Sequence, residues 1–360
     1  MICYIRRSTI DYDIRLHKYI NACVETSTPY FAITWDRLLN CKKQYPHEIQ
    51  LKTKAPYGGG WKNIRGLIMW CFFVYWNLLK NFRRYKVIHA CDFDAVILAF
   101  PLKLFGKKIV FDIYDSSRYR KAEIFMCKKS DMLILPNKLR FEQLGIKQTD
   151  VKRFLEIENV PQFETRPNGD SVIDISKPIK LAYVGVFQRN IRGLENLLKL
   201  VDEDNRFELD IAGSGDSFDD IVYNYSRKCH RIHFHGVVNY KKALEIMGDS
   251  HFIIALYYLL APIHKFASPN KYYESLFLNI PIITSSGTLV GNQVKNNDTG
   301  YVISDDYPSL KNLFSDIFEN YFIEEYDSKK KNCSSLWAQK YSSYFNDILK
   351  GEYLDAIKQL

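Results

Sequence analysis

The residues best suited to chemistry fall in one run, HFIIALYYLLAPIHKFASPNKYYESLFLNIPIIT (251–284). An apolar strand over 251–257 is followed by a loop, and Ser268-Pro269 then opens a helix predicted to run from Pro269 to about Leu278. Serine is a preferred N-cap and proline fits the first helical position, where its missing N–H has no partner to lose. Asn279 and Pro281 stop the helix. Its amino end would present unpaired N–H groups and the positive end of the dipole at the carboxyl edge of a parallel sheet, a seat for an anion. Ser268, Asn270 and Lys271 line that end, and a lysine there opposes the dipole unless an anion is bound. Glu274, three residues on, shares a face with Lys271 and can accept hydrogen bonds from a ribose diol. A well-capped helix with a solvated lysine and glutamate would be spelled the same way.

Two more loops in the same half suit a ligand. In LAYVGVFQRNIRGLENLLKLV (181–201), Gly185 lets a backbone come close and Arg192-Gly193 sets a guanidinium near the start of a helix. LDIAGSGD (209–216) is read as a strand ending in a turn of Gly213, Ser214 and Gly215. One glycine loop is only a βα turn; three in one α/β domain favour a binding edge. In the other half, His89, Asp92 and Asp115 are expected just beyond strand ends, where one could orient or deprotonate a hydroxyl. Asp92 or Asp115 could equally cap a helix. Asp92-Phe93-Asp94 has the letters of a metal-binding D-x-D, but its strand–loop–helix setting argues against ligation. His233 and His235 alternate on a strand with no third ligand spaced to them, so they read as structural.

Positioning these residues takes strands, read at 1–6, 30–34, 86–90, 108–114 and 132–136, then at 179–185, 207–212, 231–236, 251–257, 281–284 and 300–303. Continuous apolar runs suit strands buried on both faces, with helices as right-handed crossovers. The fold class is therefore α/β: two doubly wound, Rossmann-like domains. Three prolines and polar residues mark the boundary at 158–178. The stretch 334–360 reads as helix, with Trp337, Tyr341, Tyr344, Ile348 and Leu349 at helical spacing.

Composition narrows the classes. With 47% hydrophobic and 25% charged residues in 360, the chain is neither disordered nor a disulfide scaffold. Its eight cysteines contain no C-x-x-C pair and read as small buried hydrophobes. No run reaches the length of a bilayer span and the N-terminus lacks a signal pattern, so a cytoplasmic location is expected. Residues 1–165 hold 28 Lys and Arg against 16 Asp and Glu, whereas 166–360 hold 22 against 25. The basic half should seek an anionic surface. Nucleic acid is excluded, because no zinc finger, helix-turn-helix or RNP-like motif is present. GLIMWCFFVYWNLLK (66–80), flanked by Lys62, Arg65, Lys80, Arg83 and Arg84, reads either as a helix buried against the sheet or as one resting in a membrane interface.

In order along nearly the whole chain, the motifs resemble family-4-type (group 1) glycosyltransferases of the GT-B fold. They are DYDIRLHKYIN with Arg15, APYGGG with Gly58, Gly59 and Gly60, VIHACDFDAVI, KIVFDIYDS, SDMLILPNKLRFEQLG and ENVP. After them come Tyr183-x-Gly185 with Arg192-Gly193, IAGSGD, FHGVVNYKKALEIM, SPNKYYESLFLNIPII and NNDTGYVI. The SPNK spelling marks a subgroup. The resemblance implies an acceptor-binding domain over 1–165 with a returning helix at about 340–360, a nucleotide-sugar domain over 175–335, and a cleft between them. It also implies a metal-independent, cofactor-free transfer, a retaining one in the family pattern, from a nucleotide sugar to a hydroxyl of a glycan or lipid-linked glycan in bacterial surface polysaccharide synthesis. Ser268, Asn270, Lys271 and Glu274 would contact the nucleotide and its diphosphate, Gly185 and Arg192 the diphosphate, and 213–215 the base; Arg15 and Gly58–Gly60 would line the acceptor side. The enzyme is expected to work as a peripheral protein on the inner face of an anionic membrane. Three positions depart from the pattern: Phe266 stands where a carboxylate is common, Val186 where an arginine is common, and Tyr114 where a histidine is common. They motivate a second reading, a catalytically impaired nucleotide-sugar-binding subunit; a GT-B-type sugar-nucleotide epimerase is a third.

Overall fold

The apolar runs of both halves form parallel strands. The computed structural model describes residues 1–39, 41, 45–55, 63–163, 166, 172–174, 176–215, 218–317 and 322–360. The chain divides into two units, Met1–Gln162 with Ser343–Leu360, and Phe163–Ser342.

The first unit is a parallel sheet in the order β3-β2-β1-β4-β5-β6-β7. Its strands are β1 (Ile2–Arg6), β2 (Tyr30–Asp36), β3 (Glu48–Lys52), β4 (Val87–Cys91), β5 (Lys108–Asp112), β6 (Met132–Leu135) and β7 (Phe154–Glu156). Five of these match the sequence reading. The two edge strands, β3 and β7, escaped it because EIQLK and FLE are short, and their half-solvated positions call for no continuous apolar run. Helices α1 (Ile14–Glu25), α2 (Ile64–Lys80), α3 (Phe93–Ala99), α4 (Arg120–Lys129) and α5 (Arg140–Leu144) serve this sheet.

The second unit has the order β10-β9-β8-β11-β12-β13. Its strands are β8 (Ile179–Val186), β9 (Phe207–Ser214), β10 (Ile232–Phe234), β11 (Phe252–Ala255), β12 (Ile282–Ser285) and β13 (Gly300–Ile303). Helices α6 (Leu194–Glu203), α7 (Asp219–Lys228), α8 (Tyr240–Gly248), α9 (Asn270–Leu278) and α10 (Leu289–Asn297) follow in turn. On α6, Leu194, Leu197, Leu198 and Val201 are all wholly buried, each contributing about 1.5–3 kcal/mol. His233 and His235 lie against Glu208 and Asp210 of the neighbouring β9, each pair at 2.6 Å, a structural role as expected. All eight cysteines are free thiols, six of them buried.

Three sequence expectations change. Helix α9 starts at Asn270 with Pro269 as its extended N-cap (φ −74°, ψ 145°), so Ser268 stands one residue outside the cap. The 213–215 turn is mostly strand, because β9 pairs with β8 as far as Val186↔Ser214. Helix α2 is neither wholly buried nor detached. Gly66, Trp70, Val74, Asn77 and Leu78 pack inward, while Phe72 is 74% and Trp76 69% exposed. No helix among the described residues is long and apolar enough to cross a membrane. At the end of the chain, Phe345–Tyr353 winds as a π-helix, whose extra residue per turn shifts the inward stripe onto Leu349 and Tyr353.

Candidate functional site

In an open parallel sheet, ligands bind outside the carboxyl ends of the strands, where the strand order reverses. In the second unit that point lies between β8 and β11. Gly185, near the end of β8, has φ +152°, and a Cβ there would meet nothing within 4 Å, so the backbone borders open space. Gly213 and Gly215 have the opposite surroundings. A Cβ on Gly213 would come 1.8 Å from the Gly185 carbonyl oxygen, and one on Gly215 1.8 Å from that of Phe187. These two glycines let the strand ends pack together more closely than any side chain would allow.

The loop after β8 is tied to the end of β11 by the Tyr258 N–H, which donates to the Ile191 carbonyl at 3.0 Å. Gly193 (φ +65°) permits this, since a Cβ would lie 2.5 Å from Leu256 Cδ1. The tie aims Arg192 across the switch point: its guanidinium lies 4.6 Å above the Tyr257 ring, and Nε donates to Gln188 Oε1 at 3.0 Å. At the amino end of α9, Lys271 Nζ donates to Glu274 Oε2 at 2.6 Å, and Tyr240 OH donates to Glu274 Oε1 at 3.0 Å. Glu274 is 1% exposed, so its carboxylate is a buried anchor for Lys271, with both oxygens engaged inside the protein. Burial lifts the Tyr257 hydroxyl to about 12, with Arg192 opposing and Glu274 reinforcing the shift; both charges therefore bear on this ring. Asn270 is half-buried beside Lys271, while Phe266 ends a 3-10 turn and Val186 is 59% exposed.

Sequence reasoning missed His264. It is buried, and Nδ1 donates to the Tyr258 carbonyl at 2.9 Å. Burial and the Arg192 charge lower its pKa, so the ring is neutral at pH 7. Only the loop conformation brings it there; a histidine twelve residues after a strand start carries no local signal.

The first unit separates the residues expected on the acceptor side. His89 lies within β4, not beyond its end, and is wholly buried. Its Nε2 donates to Asp112 Oδ2 at 3.3 Å, and Nδ1 faces the Tyr353 hydroxyl at 2.8 Å. Arg15 is buried as well, gripping Asp112 through Nε (3.1 Å) and Nη2 (2.7 Å), with Tyr19 OH a further donor at 2.8 Å. Burial alone would raise the Asp112 carboxyl, but Arg15 and the His89 hydrogen bond hold it well below the usual range. Burial lowers His89 despite that carboxylate. Arg15 Nη1 also reaches the Ile157 carbonyl and Asn159 Oδ1, both at 2.7 Å. These residues form an interior lock, and none of them offers a group to a ligand.

Asp92 is a clamp. With φ +73° it precedes α3, and its Oδ1 accepts from the Tyr114 N–H (2.8 Å) and the Asp115 N–H (3.2 Å) while Oδ2 takes Arg6. Asp94 pairs with Arg7 at 2.9 Å, so the D-x-D letters are committed to arginines. Of the three candidate bases, Asp115 alone is exposed. Gly58, Gly59 and Gly60 lie outside the described residues.

No family model and no curated protein matches the chain. Solved structures do. A sucrose-phosphate synthase from Thermosynechococcus elongatus superposes with a TM-score of 0.75 at 14% identity, covering 100% of this chain and 99% of that one. Anabaena HepE in complex with UDP-glucose gives 0.72 at 13% identity, covering 100% and 99%. The lipopolysaccharide outer core galactosyltransferase WaaB, in its apo form, gives 0.63 at 14% identity, covering 100% and 99%. The fold is GT-B. At this identity the likeness establishes the arrangement of the chain and leaves its chemistry to the residues.

Proposed function

We propose that the chain is a glycosyltransferase, moving a sugar from a nucleotide-sugar donor to a hydroxyl of a lipid-linked glycan. The observation that carries the reading is a pair of cations on the second sheet's ligand-binding side: Arg192 lies over the Tyr257 ring, and Lys271 is held by Glu274, whose charge also bears on that ring, while the backbone of Gly185 near the end of β8 borders open space. A diphosphate there would meet a guanidinium, an ammonium and the free N–H groups of α9. As the sugar–oxygen bond breaks, negative charge grows on the departing nucleoside diphosphate, and the two fixed cations stabilise it. We assign that charge stabilisation to Arg192 and Lys271 without a metal ion. Asp115 is the exposed carboxylate available to orient an acceptor hydroxyl. The family resemblance supports retention of configuration, and the same fold in HepE, solved with UDP-glucose, supports a nucleotide-sugar donor.

The exposed face of α2 supports a membrane-borne acceptor. Ile68, Phe72, Trp76 and Leu79 project outward, with Arg65, Lys80, Arg83 and Arg84 also exposed. Aromatic side chains bordered by cations suit the interface of an anionic leaflet. Vesicle sedimentation should show salt-sensitive binding to phosphatidylglycerol-containing vesicles and little to phosphatidylcholine alone; equal pelleting with both would remove the membrane from the reading.

A thermal-shift screen against UDP-, GDP- and dTDP-sugars tests the donor, since a ligand at about 100 times its Kd adds about 2.7 kcal/mol of stability. No shift with any of them would sink the proposal. Binding with no release of nucleoside diphosphate would favour the impaired subunit suggested by Phe266 and Val186.

A further inference from the structure

His264 stands in the 3-10 turn Pro262–Phe266, within the loop from β11 to α9, and is only 4% exposed. A carbonyl can only accept, so the bond to the Tyr258 carbonyl at 2.9 Å places the ring proton on Nδ1. The other ring nitrogen, Nε2, is then a lone-pair acceptor. It has no hydrogen-bond partner among the described residues, yet it keeps contact with solvent. The imidazole packs perpendicular to Tyr257, with centroids 5.5 Å apart and planes at 88°. Arg192 lies over that same tyrosine at 4.6 Å. A nearly buried acceptor, held in one orientation against the ring that carries the arginine and left without a partner, is set to meet a ligand.

We infer that His264 Nε2 accepts a hydrogen bond from a hydroxyl of the transferred sugar, a contact that deepens the donor reading above and rests on it. Chemistry narrows what can face this nitrogen. Burial and the Arg192 charge keep the ring neutral, so Nε2 stays an acceptor. It cannot bond the diphosphate of a nucleotide sugar, whose oxygens carry no proton. A ligand hydroxyl or N–H must therefore fill the place. In a nucleotide sugar the hydroxyl fewest bonds from the diphosphate is on the transferred sugar, because the ribose is joined through a methylene. Glu274 does not compete for it, since both its oxygens are engaged inside the protein. Phe266, which ends the same turn as His264, is apolar. A neutral acceptor also has an advantage over a carboxylate here: it leaves the Arg192 charge free to act on the departing diphosphate.

The test is titration calorimetry of the full chain with three matched pairs: UDP-glucose and UDP, GDP-mannose and GDP, dTDP-glucose and dTDP. Asparagine sets its amide nitrogen where Nδ1 lies, so His264→Asn keeps the bond to Tyr258 and removes Nε2. For the pair that the native chain binds, this variant should weaken the sugar nucleotide about ten-fold. The nucleoside diphosphate, which lacks the transferred sugar, should stay within about two-fold. His264→Gln, whose longer side chain carries an acceptor to the Nε2 position, should recover part of the loss. Equal loss of both members of the pair, or no loss of either, would overturn the contact and leave His264 a loop anchor. Should His264→Asn fail to fold, the Nε2 nitrogen NMR resonance of the native chain decides. It should shift with the sugar nucleotide and stay in place with the nucleoside diphosphate; the same response to both would overturn the contact. Native chain that binds no member of any pair would remove the donor reading and this contact together, whereas binding without a sugar-dependent difference would remove the contact alone.

Discussion

Replacing Lys271 with alanine separates two things that one side chain does. In the folded protein, Lys271 neutralises Glu274 at 2.6 Å, with side chains 17% and 1% exposed. Removing one member of a buried pair costs about 3–5 kcal/mol. Because the lysine end retains some solvent access, water can replace part of the interaction, and about 2 kcal/mol is expected here. In a domain of this size that lowers the melting temperature of the second unit by about 4–8 °C. Nucleotide binding should fall further, since a lost charge-assisted phosphate contact is worth about 1.5–3 kcal/mol, or about 10- to 150-fold in Kd. Titration calorimetry with the sugar nucleotide that gives the largest thermal shift, run well below the melting range, measures that loss. Adding Glu274→Gln removes the stranded charge while keeping an acceptor for Tyr240, so the double variant should regain stability without regaining affinity. If Lys271→Ala binds nucleotide as tightly as the native chain, or if the double variant recovers full affinity, the lysine is a structural partner of Glu274 and the diphosphate seat is elsewhere.

Three further outcomes are expected. Burial raises the Asp92 carboxyl to about 6, with Arg6 opposing; its contribution to stability is full below about pH 4 and is lost as pH rises through 6. Asp92→Asn, which keeps an oxygen for the Tyr114 and Asp115 N–H groups, should flatten that decline in urea unfolding between pH 4 and 8, and a parallel curve would exclude Asp92 as its source. Tyr353→Phe should cost about 1–3 kcal/mol in denaturant unfolding, because the hydroxyl joins Tyr4 and His89 at 2.8 Å each. Phe72→Ser with Trp76→Ser should abolish pelleting with anionic vesicles while leaving nucleotide affinity unchanged; retained pelleting would acquit this face of α2.

Eleven of the thirteen strands among the described residues were legible, because a strand covered on both faces calls for an unbroken apolar run. Edge strands β3 and β7 are half-solvated, and their letters carry no comparable signal. The switch-point residues of the second unit were legible for a related reason. Gly185, the Arg192-Gly193 pair and the Lys271–Glu274 spacing are local features, and a turn or a helix face converts them directly into positions in space.

Burial and partnership were not legible, because both depend on residues far away in sequence. His89 and Arg15 look like ligand-facing groups until Asp112 and Tyr353 are brought against them from 23 to 264 residues away. Arg140 looks like an ordinary helical cation until the packing of α5 encloses it and leaves its Nε and Nη1 without a hydrogen-bond partner. Composition and periodicity determined which segments become strands and helices and which turns stay open. Only the tertiary structure decided which polar groups the protein satisfies internally and which it leaves for a ligand, since a hydrogen bond needs its partner within about 3 Å and nothing in a linear pattern specifies that distance.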